Sequence, residues 1–450
     1  MSRRDAGATV GRRRLLALSG TGALAALAGC SGLLGGGERA LDAGALAEAV
    51  AGDAPTVPET LPVDIEASFV DEQRSIARSS LDGVPAPFDR EEIPNGVIRE
   101  RLNDVYEVAT ESLREVDEGE TPYVRLERAN RARATAHQVR TGWRAIEAGL
   151  TRADLAESVP TIRGSIDEVA ARWSHVGDDP VRAAVVHAEI ESELRAARNW
   201  VSSGDRGRPT EGSALDVAER AEELERARTS VAVASYVFDR FRASLGTAAD
   251  QRGRLEAARE ALRGRVRDAS AALPPQDVDD PTSLVDRDVE ETTGVLALAE
   301  LGSEARYRAE DVTASDDRDE GPSLASDVVG AVDALAYVRA FESLRERIEG
   351  GDDLAVEGVG DVAALRGSAI AAVEQAREAE RGALLVDALL PDFADEIRWT
   401  DDRLARESGS VGVESVARDA VDYVIAAATC RALPPVCAEA AAALRTSQST

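Results

Sequence analysis

Lysine is absent from this chain of 450 residues: all 53 of its basic residues are arginine. Without lysine there is no Schiff-base chemistry and no P-loop ammonium to reach a phosphate. Histidine is nearly as scarce. His137, His175 and His187 are the only three, and none stands in H-E-x-x-H, H-x-x-E or E-x-x-H. A carboxylate-bridged di-iron bundle needs two E-x-x-H pairs on facing helices, so that class is excluded. Haem attachment through C-x-x-C-H and redox chemistry through C-x-x-C are excluded in the same way. Serines are common, but none occupies G-x-S-x-G. Aromatic residues are only 4% of the chain and methionine occurs once, at position 1. Alternating apolar and polar runs are missing, which argues against a sheet. "LAVEGVG" (354–360) is the single short piece that reads as extended.

Acid is abundant. Aspartate and glutamate total 83, and the net charge is -30. Residues 1–29 carry five arginines against Asp5, a surplus of four positive charges, so the rest of the chain stands at -34. Such a surface is a poor match for nucleic acid, which is bound through basic patches. It suits concentrated salt: at about 1 M the Debye length falls to roughly 3 Å, and the carboxylates stop repelling one another. They also confer solubility better than basic groups do.

The N-terminus reads as an address. Arg12, Arg13 and Arg14 precede fifteen uncharged residues, 15–29, which end at Cys30. The stretch is shorter than the roughly 20 residues of a membrane span and has the n-region and h-region of a cleaved leader. Leu27-Ala28-Gly29-Cys30 resembles a lipobox, and Arg12 and Arg13 followed by Leu15 and Leu16 resemble a twin-arginine export signal. With the acidic, lysine-free composition, these segments make the chain similar to exported haloarchaeal lipoproteins. The resemblance implies removal of residues 1–29, lipid on Cys30 as the new N-terminus, and residence at the outer face of the cell membrane. Stable residence takes two acyl chains. The glycine-rich "SGLLGGG" after Cys30 is a flexible tether.

Beyond the leader the chain reads as mainly α, a multi-helix bundle of antiparallel amphipathic helices in two halves. Ala129, Ala132, Ala136, Val139, Trp143, Ile146 and Leu150 step by three and four and mark one apolar stripe. Similar stripes run from Ile98 to Val116, Ile162 to Val176, Val181 to Val201 and Leu215 to Leu245. Further helices are expected at about 248–272, 282–312, 324–349, 360–386, 391–407 and 413–430. Pro122 and Pro180 suit first helical turns, and Pro160 marks a kink or a start. The expected organisation is a leader over 1–29, a tether with a short helix over 30–52, an N-terminal helical half over 53–203, a linker over 204–212 within the polar run "SSGDRGRPTEG" (202–212), and a C-terminal half over 213–450. Residues 53–97 hold six prolines and read as an ordered loop anchored by Phe88 and Ile93, or as a lid.

Chemistry-bearing candidates are few. After Cys30, the remaining cysteines, Cys430 and Cys437, form an even pair flanking "RALPPV"; Pro434 and Pro435 are expected to break the helix there, so that a disulfide staples two helix ends. His187 and Glu191 are four apart, on one helix face, a spacing common by accident among so many acids. "GVGDVA" (358–363) resembles a dinucleotide loop only superficially and reads as a helix start, because no strand precedes it. Trp143, Trp173, Trp200 and Trp399 read as core, and Arg125, Arg128, Arg131 and Arg133 as partners of nearby acids. No catalytic set, cofactor or metal site is expected. The function expected is that of a structural, scaffolding or protein-interaction lipoprotein, held to the membrane through Cys30 and meeting a protein partner at the surface. The rival is an extracytoplasmic ligand-binding protein serving a transporter or sensor.

Overall fold

Apolar residues three and four apart cannot bury one stripe without a partner helix, and the chain answers with helices packed on helices throughout. A computed structural model describes residues 39–203, 212–314, 323–380 and 382–446. The leader, with Arg12, Arg13 and Cys30, lies outside the described residues, as do residues 204–211 of the expected linker. The fold is mainly α.

The first half contains α2 (Ala67–Leu81), α3 (Gly96–Glu115), α4 (Pro122–Glu147), α5 (Arg152–Ala156), α6 (Val159–Arg172), α7 (Pro180–Ser203) and α8 (Ala214–Ser244). Local chemistry sets the starts. Asn95 accepts N–H bonds from Val97 and Ile98, Thr121 caps α4 with Pro122 in its first turn, and Ser213 and Asp216 form a capping box at α8. Pro160 sits in the first turn of α6 and so marks a start. α8, about 46 Å long by its 31 residues, packs on α4 and α7. Its stretch from Val231 to Phe238 is largely buried, as an all-round apolar surface requires.

The second half contains α1 (Ala43–Val50), α9 (Arg252–Ser270), α10 (Thr293–Ala314), α11 (Leu324–Glu349), α12 (Val359–Arg377), α13 (Ala383–Ala405), α14 (Val413–Asp419) and α15 (Val421–Thr446). One apolar cluster unites α1 with α9–α15 and takes Val181, Ala184 and Val185 from α7. Another joins the opposite face of α7, with Ile190, Leu194 and Val201, to α6 and α8. α7 is thus shared by two cores. Two short antiparallel ribbons close the loops: β1 (Ala40–Asp42) with β4 (Ser410–Gly412), and β2 (Val176–Gly177) with β3 (Ala249–Asp250).

Several expectations need correction. From Ala40 on the chain packs as one compact unit, within which α8 buries its stripe against α4 and α7. Residues 67–81 form a helix inside the proline-rich region; the prolines flank it, and its inward residues include Gln73 and Ser80 beside Val70 and Ala77. Phe88 and Ile93 are buried, as anchors should be. The 360–386 helix is two: α12 stops at Arg377, and α13 starts after Gly382, whose φ of 75° is left-handed. α13 then runs through Pro391. The 282–312 helix begins only at Thr293, after a 3-10 turn over Pro281–Leu284. "LAVEGVG" pairs with nothing as a strand. Pro434 and Pro435 lie inside α15 and do not end it. Each removes one N–H donor, but residues on either side of them are buried, and that packing outweighs the local cost of about 3 kcal/mol.

Candidate functional site

A group of buried chemistry-bearing side chains lies where α6, α7 and α11 meet. Trp173 ends α6, His175 follows it before β2, and His187 and Glu191 stand one turn apart on α7. His187 and Glu191 are both fully buried (0% exposed), and His175 is nearly so.

Trp173, His175, His187 and Glu191 each have a defined partner. The Trp173 indole N–H donates to His187 Nδ1 at 3.0 Å, and His187 Nε2 donates to the Val176 carbonyl at 2.8 Å. These two bonds fix the neutral Nε2–H tautomer and leave no ring nitrogen for a metal. Burial, working against the attraction of the Val176 carbonyl, holds the His187 pKa down to about 4. His175 Nε2 donates to Glu191 Oε1 at 3.0 Å. The same carboxylate accepts the backbone N–H groups of Ala325 at 3.1 Å and Ser326 at 2.7 Å. Glu191 therefore caps the N-terminus of α11 from another helix, where the dipole favours an anion. Ser326 Oγ reciprocates with the Ala188 carbonyl at 3.3 Å. Gln251 stitches in the chain that leaves α8: its N–H donates to the His175 carbonyl at 2.7 Å and its Nε2 to the Gly177 carbonyl at 3.0 Å. Aromatic edges complete the packing, with His175 and His187 5.1 Å apart and Phe241 5.5 Å from His187.

A second buried set lies in the other half. Arg366 on α12 forks onto Asp401 of α13 with two bonds of 2.8 Å, and Tyr423 of α15 donates to Asp401 Oδ1 at 2.5 Å. Arg366 also donates to the Gly52 carbonyl just beyond α1. Burial and the Asp401 charge push Tyr423 ionisation far above its ordinary range. Four segments thus meet around the Arg366–Asp401 pair.

The remaining candidates are placed as follows. Cys430 and Cys437 are buried and free, which corrects the expected disulfide. Seven residues along one continuous helix rise about 10 Å, beyond the roughly 7 Å between Cα atoms that a disulfide tolerates. Burial pushes the Cys437 thiol up to about 12 and Cys430 higher still, so neither is a poised nucleophile. Gly358 opens α12, with Asp361 accepting its N–H, as a helix-start loop should. His137 stands alone on α4 near Glu225, its pKa lowered by burial. Trp143 stacks on Phe88, and Trp200 lies under Arg226. Trp399 is partly exposed. Arg133 pairs with Glu225, Arg128 meets the Glu115 carbonyl and Arg125 the Gly119 carbonyl. Among the described residues no group of three or more His, Cys, Asp or Glu is placed to hold a metal.

Sequence reasoning found the His187–Glu191 spacing but missed its partners. His175 lies off any helical stripe, and α11 is more than a hundred residues away in sequence. A usable signal was present: His175 sits within a tryptophan-bearing turn, "WSHVGDDP", and His187 follows it by twelve residues on the next helix.

Residues 68–247 match a family described as "Domain of unknown function (DUF8262)" and residues 252–442 one described as "Domain of unknown function (DUF8264)". No curated protein and no solved structure matches the chain. The two matched stretches meet between α8 and α9, so the chain is similar to two domains of unknown function in tandem.

Proposed function

We propose that this is an exported lipoprotein, anchored through Cys30 at the outer face of the membrane, whose helical body serves a structural or protein-interaction role. The observation that carries the non-enzymatic reading is how the buried ionisable groups are used. His175, His187, Glu191, Arg366, Asp401 and Tyr423 each join one helix or loop to another. A catalytic group needs an unsatisfied face turned toward substrate; in this core those faces are turned toward backbone and partner side chains.

The anchor reading is supported by the leader and by the fate of the one apolar helical stretch. Val413–Thr446 is long and apolar enough to cross a membrane, the one such stretch among the described residues, yet 72% of its most apolar window is buried within the bundle. In this reading membrane attachment is through lipid. Cys30→Ser, expressed in a salt-adapted host, should shift the protein from the membrane fraction to the medium or leave the leader uncleaved. Unchanged membrane retention with normal cleavage would overturn the reading. Crosslinking on intact cells, followed by mass spectrometry, tests the interaction role: a recurrent partner is expected, and a body that crosslinks to nothing would count against it.

A further inference from the structure

The Trp173–His187 contact has one electrical state. Indole N–H is only a donor, so Nδ1 of His187 must accept, and a proton there sets donor against donor. The groups that face this ring are Val176 and His175 from the segment before α7, Phe241 from α8 and Glu191 from its own helix. Glu191 in turn is faced by His175, by the α11 amides and Asp327, and Asp327 by Arg259 and Arg263 of α9. A charged His187 would meet the positive side of His175, lose Trp173, and draw on the carboxylate that holds α11.

We propose that the Trp173–His175–His187–Glu191 layer is an acid-released latch between the two halves: a proton on His187 breaks the layer and frees the first turn of α11 from α7. The sign follows from linkage. In the open form the ring titrates near 6.5; in the closed form burial holds it at about 4. The latch is therefore whole above pH 6.5 and weakens as pH falls toward 4, because the open form binds the proton first. The two values give an opening equilibrium about 100-fold larger at pH 4 than at pH 7.

Hydrogen exchange of the full chain in concentrated NaCl reads this directly. Protection factors of the Ala325 and Ser326 amides should fall about 100-fold between pH 7 and pH 4 in the wild type, while amides in the middle of α8 hold. In His187→Gln, which accepts and donates without titrating, they should change by less than threefold. A flat wild-type profile, or an equally steep fall in His187→Gln, overturns the proposal. Should that variant not fold, the ring proton of His187 followed by NMR in the wild type decides: uptake near pH 4 that coincides with loss of protection supports the latch, and uptake near 6.5 overturns it.

Discussion

Asp401→Asn is the sharpest probe of how the second half is held together. The substitution keeps the shape of the side chain and removes its charge. Arg366 then remains 7% exposed, its guanidinium facing an amide in place of a carboxylate. Removing one partner of a buried pair costs about 3–5 kcal/mol, because the surviving charge has no counter-ion. The amide oxygen can still accept one bond, so the lower end applies, about 3 kcal/mol. Tyr423→Phe removes one hydrogen bond to the same carboxylate and should cost only about 1–2 kcal/mol. Arg366→Met alone strands Asp401 and cuts the Gly52 carbonyl loose. The double variant Arg366→Met with Asp401→Asn leaves no buried charge and should recover part of the loss, to within about 2 kcal/mol of wild type. Urea melts at fixed high salt, followed by far-ultraviolet circular dichroism, measure all four. The reasoning fails if Asp401→Asn lies within 1 kcal/mol of wild type, or if the double variant is as unstable as the sum of its parts.

Gly382→Ala should destabilise by more than about 2 kcal/mol, since a Cβ there would sit 2.6 Å from the Cys437 carbonyl at a φ of 75°. Gly149→Ala, left-handed at 69° but with open space around it, should cost about 1 kcal/mol; equal losses in the two melts would show that the close approach to α15 is unimportant. Thiol titration should find no reactive cysteine in the folded protein and two per chain after denaturation, Cys430 and Cys437, with Cys30 blocked by lipid; three would mean an unprocessed leader, and none without reductant a disulfide. Helical circular dichroism should fall as salt drops well below 1 M, where screening of the acidic surface weakens; full helicity in dilute buffer would contradict the salt-adapted reading.

The helices that were legible in the sequence are those whose buried stripe is built from Val, Ile, Leu and Ala. α11 falls on the expected 324–349, and α3, α4, α7 and α8 lie within a few residues of their stripes, α4 apart at its start. α2 was illegible because Gln73 and Ser80 occupy inward positions, Gln73 accepting from Arg133 and Ser80 bonding back to Ile76. Proline misled twice. An expected helix began at Pro391 and another was expected to break at Pro434–Pro435, but tertiary burial carries α13 and α15 through them. The candidate site was half legible, since spacing alone gives His187 and Glu191 one face, while the groups that make the pair meaningful arrive from α6 and α11 through the fold.

The pairing of β1 with β4 has a consequence for synthesis. Ala40 is made among the first residues of the folded body, but its partner Gly412 is made about 370 residues later. At ribosomal rates near 5–20 residues per second the growing chain waits roughly 20 to 70 s. For most of that interval Leu46, wholly enclosed in the finished protein, lacks α12 and α13, the helices on which α1 packs. The earliest part of the body is thus the last to find its place, and a nascent chain of this kind needs shielding at its beginning until its end arrives.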